Sequence, residues 1–275
     1  MSFLKEDIGM GDITTEAVVP AETEVQAQII VKEPAVIAGL FESSIIFHMI
    51  GVEFHARVED GAEVAAGTIL AEIKGKGQAV LSAERTVLNI LMRMSGIATM
   101  TRRLVKMIRE AGLNVRIAAT RKTAPGLRYF DKKAVLIGGG DPHRFRLDDA
   151  FLIKDNHIKI AGGIKEAIRR ARSSASFSKK IEVEAQTMEE ALEAAEAGAD
   201  IIMLDNMTLK EAEETLKALE AAGFRDKVSV EISGGIDERN ILDYARLKPD
   251  VISLGSLTHS VRAVDISLEV VQVAE

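Results

Sequence analysis

Cysteine is absent from the 275 residues, so disulfides, thiol nucleophiles and cysteine-based metal sites are excluded together. Histidine is scarce: the five present show no HExxH-like ligand spacing, which argues against a structural zinc. No apolar run reaches the roughly 20 residues that a membrane-crossing helix needs. The opening MSFLKEDIGMGDITTE turns acidic soon after Lys5, where a secretory signal would place its apolar core. The expected location is therefore the cytoplasm, away from any membrane. A basic excess is missing as well. The formal net charge is −7, whereas nucleic-acid binders carry surplus Lys and Arg to neutralise phosphates. Nucleic acid is thus an unexpected partner, and an anionic ligand must meet a local positive pocket. Asn and Gln are few, a bias shared with heat-adapted proteins.

What remains is ordinary for a globular chain, with 47% hydrophobic and 28% charged residues. The length suits one large α/β barrel, or a barrel with a small companion domain. From Val115 onward, short apolar runs (VRIAAT, DAFLIKD, KIEVEA, ADIIMLD, KVSVEIS, PDVISLG) alternate with amphipathic stretches. The runs read as buried parallel strands and the stretches as helices. Thr187 and Thr208 occupy N-cap positions, and Gly198 and Gly223 occupy C-terminal cap positions. Polar residues cluster at the ends of many successive strands and not at one switch point, which favours a barrel over an open doubly wound sheet. Before about residue 80, alternating segments separated by glycine turns read as a mostly antiparallel sheet. Two helical segments follow, predicted to separate near Ser95 and Gly96.

In a strand-helix barrel, side chains at the carboxyl ends of the strands face the reaction pocket. Here those ends present Thr120, Arg121 and Lys122, then Lys154 to His157, then Glu182 and Glu184, then Asp205 and Asn206. Ser233, Gly234 and Gly235 follow, and finally Gly255 and Ser256. Small residues on the last strands let backbone N–H groups approach an anion, which suits a sugar phosphate. Glu184 and Asp205 suit a magnesium-held pyrophosphate and ribose hydroxyls, with metal contact direct or through water. Arg121, Lys122, His143, Arg144 and Lys154 are too many cations for one carboxylate, so at least two anionic groups are expected among them. Alternation puts Glu182 on the same face as Glu184, so the pattern does not choose which of them meets ligand. His48, His55 and His259 lie outside this set and read as structural.

The motifs EDIGMGDITT, LSAERTVLNILMRMSGIAT, ATRKTAPGLR, IGGGDPHR, LIKDNHI, EVEA, MLDN, EISGGI and LGSLTHS, in this order along nearly the whole chain, resemble the quinolinate phosphoribosyltransferases. That resemblance implies an open seven-stranded, TIM-like α/β barrel over residues 102–260 and an N-terminal α/β sandwich over 1–101, joined by 261–275. It implies that quinolinate and phosphoribosyl pyrophosphate react with Mg²⁺ to give nicotinate mononucleotide, pyrophosphate and carbon dioxide. Thr120, Arg121, His143, Arg144 and Lys154 would hold quinolinate. Arg85 would reach the same pocket from a neighbouring copy, in a dimer or a hexamer of dimers. Lys122, Glu184 and Asp205 would be catalytic and face the ribose and the pyrophosphate, with Glu184 and Asp205 serving the metal. Ser233, Gly234, Gly235, Gly255 and Ser256 would hold the 5-phosphate. The family's usual Asn before His-Arg is replaced by Pro142, which stiffens that loop. The rival enzyme is a nicotinate phosphoribosyltransferase or another relative of this fold, and the rival outside enzymology is a phosphate-ligand sensor.

Overall fold

The computed structural model describes residues 2–274. They form two compact units. The first takes the described residues up to Arg102, Tyr129–Gly139, and those from Val261 onward; the second takes Arg103–Arg128 and Gly140–Ser260. The stretch Tyr129–Gly139 thus groups with the first unit, although strands of the second unit lie on either side of it in the chain.

Among the described residues, two short helices precede the five early strands of the first unit: β1 (Glu24–Val31), β2 (Ala35–Val36), β3 (Glu53–Ala56), β4 (Glu63–Val64) and β5 (Ile69–Lys76). Six follow in the second unit: β6 (Arg116–Ala118), β7 (Phe151–Ile153), β8 (Ile181–Ala185), β9 (Ile201–Asp205), β10 (Ser229–Ser233) and β11 (Val251–Ser253). A twelfth, β12 (Ile266–Val273), returns to the first unit.

In the first unit the order β12-β1-β5-β3 is antiparallel throughout. The period of two in β1 turns Val25, Ala27, Ile29 and Val31 inward. They meet Val80, Ala83, Val87, Leu88 and Leu91 of the helix Gly77–Glu110, with Phe47, Phe54 and Leu70 completing the core. That helix is continuous over 34 residues, without the interruption predicted near Ser95 and Gly96. Both residues are packing contacts. The Ser95 hydroxyl accepts the Ala38 N–H at 3.1 Å. A Cβ at position 96 would lie 2.1 Å from the carbonyl oxygen of Arg262. Glycine is there because another backbone crosses it, not because the helix ends.

The second unit is a parallel sheet ordered β6-β11-β10-β9-β8-β7. Its first strand in sequence pairs with its last, which curls the sheet into a barrel. On the outer side of β6, a single parallel bridge joins Ala118 to Asp141. The Asp141 N–H reaches the Ile117 carbonyl at 2.7 Å, and the Ala119 N–H reaches the Asp141 carbonyl at 2.9 Å. This bridge stands where a seventh regular strand was expected; Pro142 follows and has no N–H with which to extend the ladder. The six regular strands are those read from the apolar runs. Thr187 and Thr208 cap their helices by accepting the N–H groups of Glu190 and Glu211, and Gly198 and Gly223 take positive φ at helix ends. No helix among the described residues is long and apolar enough to cross a membrane.

Helix propensity alone would make Gly96→Ala stabilising by about 1 kcal/mol. The crossing carbonyl reverses the sign: the variant should lose about 1–3 kcal/mol, as for overpacked cores. Urea or thermal denaturation measures this.

Candidate active site

A cavity of about 360 Å³ opens at the carboxyl ends of the strands in the second unit. Thr120, Arg121 and Lys122 enter it after β6, His143 and Arg144 after the Asp141 bridge, and Lys154 after β7. Glu184 of β8, Asp205 and Asn206 at the end of β9, and Glu231 and Ser233 of β10 complete the polar lining. A larger groove of about 870 Å³ lies by the amino-terminal ends of these strands. Its charges alternate in sign and serve the fold: Arg225 pairs with Asp250 at 2.9 Å and donates to the Lys248 carbonyl at 3.0 Å. The chemistry of such barrels belongs to the opposite face.

Local structure fixes the lining. The Lys122 N–H donates to Thr120 Oγ1 at 3.1 Å, and Thr258 Oγ1 donates to the Lys122 carbonyl at 2.9 Å, so the turn after β6 is held from both sides. The Lys154 N–H donates to His157 Nδ1 at 2.9 Å, where the helix Asp155–Ala161 begins. Lys154 Nζ forms an ion pair with Glu184, and Asn206 donates to the Asp205 carboxylate at 2.9 Å. Glu184 and Asp205 stand on adjacent strands, so their oxygens can serve a hard cation together.

The cations crowd. Burial disfavours the charged form of Arg144, nearby Arg121 adds to this, and both lower its pKa from the ordinary guanidinium value. Nε of Arg121 is buried with no hydrogen-bond partner. Buried donors of this kind are costly unless an anion meets them.

The glycine turn after β10 is built by close approach. Gly234 has φ 92°, and a Cβ there would lie 2.2 Å from Oδ1 and 2.9 Å from N of Asn206. Asn206 itself has φ 57° and donates its N–H to the Ser233 carbonyl at 2.9 Å. Ser233 in turn receives the Ser253 hydroxyl at 2.9 Å. Gly235, with φ 65°, follows in the same turn. Gly255 comes close to the Lys122 side chain, since a Cβ on it would be 3.0 Å from Lys122 Cδ. The same Cβ would meet His259, which the sequence alone suggests is structural only. Ser256 begins the short helix Ser256–His259. Arg85 is exposed on the helix Gly77–Glu110 in the first unit.

Of the pair that the pattern left open, Glu184 lines the cavity and Glu182 is buried. One buried carboxylate went unrecognised as part of this site: Glu231 was passed over although it interrupts the apolar run KVSVEIS. That interruption is the available signal, because Glu231 shares a face with the cavity-lining Ser233.

A parallel barrel that gathers cations, carboxylates and a glycine turn at one end is built for a small molecule bearing several negative groups, phosphate among them. Models of the quinolinate phosphoribosyl transferase C-terminal and N-terminal domains match residues 97–269 and 12–95. The chain is 50% identical over 273 residues to a probable nicotinate-nucleotide pyrophosphorylase [carboxylating] of Methanocaldococcus jannaschii, covering 98% of this chain and 95% of that one. A counterpart with the same description from Methanothermobacter thermautotrophicus is 47% identical over 268 residues, covering 98% and 96%. The crystal structure of nicotinate-nucleotide pyrophosphorylase from Ehrlichia chaffeensis superposes with a TM-score of 0.91 at 34% identity, covering 98% and 96%. The chain belongs to the quinolinate phosphoribosyl transferase family.

Gly234→Ala adds a methyl group against Asn206 and strains a left-handed backbone. It should cost about 1–3 kcal/mol of stability. Gly235→Ala, which meets no atom within 4 Å, should cost less; equal midpoints in thermal denaturation would contradict the close approach.

Proposed function

We infer that the chain is a quinolinate phosphoribosyltransferase, joining quinolinate to phosphoribosyl pyrophosphate with loss of pyrophosphate and carbon dioxide, in the synthesis of NAD. The observation that carries this reading is the convergence of Arg121, Lys122, Arg144 and Lys154 on one cavity with Glu184 and Asp205. A dicarboxylate is the acid that fits. Arg121, Arg144 and Lys154 take its two carboxylates; an acid with one carboxylate would leave a partly buried cation unpaired, which costs free energy. Nicotinate is therefore the weaker candidate.

The residues after the later strands suit the phosphoribosyl group. Ser233, Gly234 and Gly235, with Gly255 and Ser256, offer backbone N–H groups and hydroxyls to the 5-phosphate. Glu184 and Asp205 offer hard oxygen donors, and this set fits Mg²⁺, which is commonly held by one or two carboxylates with substrate phosphates. Bound there, the metal would supply positive charge to the departing pyrophosphate. Lys122, on the rim, adds its ammonium to the same oxygens. As the bond between the ribose carbon and the pyrophosphate oxygen breaks, that carbon becomes electron-poor and the pyridine nitrogen, held by the carboxylate clamp, attacks it. The quaternised ring then stabilises the electron pair left at C2 when the 2-carboxylate leaves as carbon dioxide, and a proton from solvent adds at C2. No covalent link to the protein is required.

We further propose a homo-oligomer, a dimer or a hexamer built of dimers, in which Arg85 of one copy completes the cation set of another. Arg85 is free at the surface for such a role, and the helix Leu40–His48 exposes Phe41 and Ile45, with Met49 just beyond it. Apolar residues four apart on an exposed helix face suit burial against a second copy. A cysteine-free chain needs no oxidising compartment, and we place the reaction in the cytoplasm.

Purified protein given Mg²⁺ and phosphoribosyl pyrophosphate should release carbon dioxide from quinolinate, and a chelator should stop it; turnover of nicotinate instead would overturn the assignment. Lys122→Ala should lower kcat by about 10²–10³ fold, as loss of one transition-state charge partner does. Its KM for quinolinate should change far less, and equal losses in both would contradict the role.

A further inference from the structure

At the end of β9 the Asp205 carboxylate is held by a neutral amide: Nδ2 of Asn206 donates to Asp205 Oδ2 at 2.9 Å. The Lys154 ammonium, by contrast, pairs with Glu184. A cation against Asp205 would cancel the charge that a metal ion needs there. An amide fixes the carboxylate and leaves its charge whole. With Oδ2 engaged, Oδ1 is the oxygen left entire for a hard cation.

The amide has little choice of position. Asn206 has φ 57°, and the backbone is fixed on both sides of its side chain. Its own N–H donates to the Ser233 carbonyl at 2.9 Å, and the carbonyl of the next residue, Met207, accepts the Tyr244 hydroxyl at 3.1 Å. Oδ1 of Asn206 lies against Gly234, where a Cβ would be only 2.2 Å from it. That end of the amide therefore faces the glycine turn, and the Nδ2 end faces the carboxylate. The turn is anchored in its own right, since Asn240 Nδ2 donates to the Gly235 carbonyl at 3.0 Å.

Asparagine meets these demands where its nearest alternatives do not. Asparagine, aspartate and glycine all accept a left-handed backbone. Glycine has no donor to offer. Aspartate would set a second carboxylate against Asp205, and like charges so close repel. Asparagine supplies both the backbone and the N–H. We propose that Asn206 is a positioning residue for phosphoribosyl pyrophosphate: pinned by Gly234, its amide holds Asp205 so that one carboxylate oxygen is kept for the metal bound with the pyrophosphate. This rests on reading the cavity as the site of that substrate with Mg²⁺.

Titration calorimetry of the whole protein with phosphoribosyl pyrophosphate and Mg²⁺, in the absence of quinolinate, tests this. Asn206→Gly keeps the left-handed backbone and removes the amide, and it should raise Kd about 10-fold, as the loss of a partner that orients a metal ligand does. Asn206→Asp has the same shape as the native residue and should bind no better than Asn206→Gly. An unchanged Kd in Asn206→Gly would overturn the proposal. So would wild-type or tighter binding in Asn206→Asp, because position 206 would then meet the metal itself. In steady-state kinetics, KM for phosphoribosyl pyrophosphate should rise in Asn206→Gly while KM for quinolinate stays within about twofold; equal rises in both would mark a general fault of the fold and count against the positioning role. A wild-type protein that binds phosphoribosyl pyrophosphate but is inert towards quinolinate would sink the functional reading, and the calorimetry of the two variants would still decide this one. A wild type that does not bind phosphoribosyl pyrophosphate with Mg²⁺ overturns both.

Discussion

Burial disfavours the charge of Arg144, and Arg121 stands near enough to add to that penalty. Such an arrangement survives only if anions lie close by. Glu184 meets Lys154, while Glu182 and Glu231 lie against the His143 ring. The cavity is therefore a charge mosaic held slightly short of anion. That deficit favours a doubly negative substrate over solvent chloride, because bidentate guanidinium contacts reward fixed carboxylate geometry.

The surrounding architecture maintains this mosaic without a closed ring of strands. Each lining residue sits at a strand end or in a turn tied to a neighbouring element, as in the contacts of Lys122 with Thr120 and Thr258 or of Ser233 with Ser253 and Asn206. These short ties fix the backbone of the lining turns, so binding loses less entropy than it would with free loops. Left-handed backbone at His143 and Asn206, both at the cavity, fits the tendency of strained residues to gather where function requires them.

Much of this is legible in the order of residues. Strands buried on both faces appear as apolar runs, and a barrel delivers whatever follows each run to one rim; Arg121, Lys154, Glu184, Asp205 and Ser233 were readable on that basis. What escaped depends on partners distant in the chain. Gly96 looks like a helix break until Arg262 is seen crossing it. Glu231 looks like a stray charge in a strand until His143 is placed against it. His143 reads as a ligand-facing cation, and its buried partners Glu182 and Glu231 come from strands far along the chain. The grouping of Tyr129–Gly139 with the first unit has no local signature, since its ties include Arg93 to Asp131 and Lys133 to Glu42.

The pairing of Ile266 on β12 with Val31 on β1 sets an order of assembly. The barrel strand β11 (Val251–Ser253), which pairs with the first barrel strand β6, leaves the ribosome shortly before β12 (Ile266–Val273) does. Until then β1 has an unpaired edge, the kind of surface that invites aggregation. Both units therefore keep an open edge for most of synthesis, and each is completed by a strand from the last tenth of the chain.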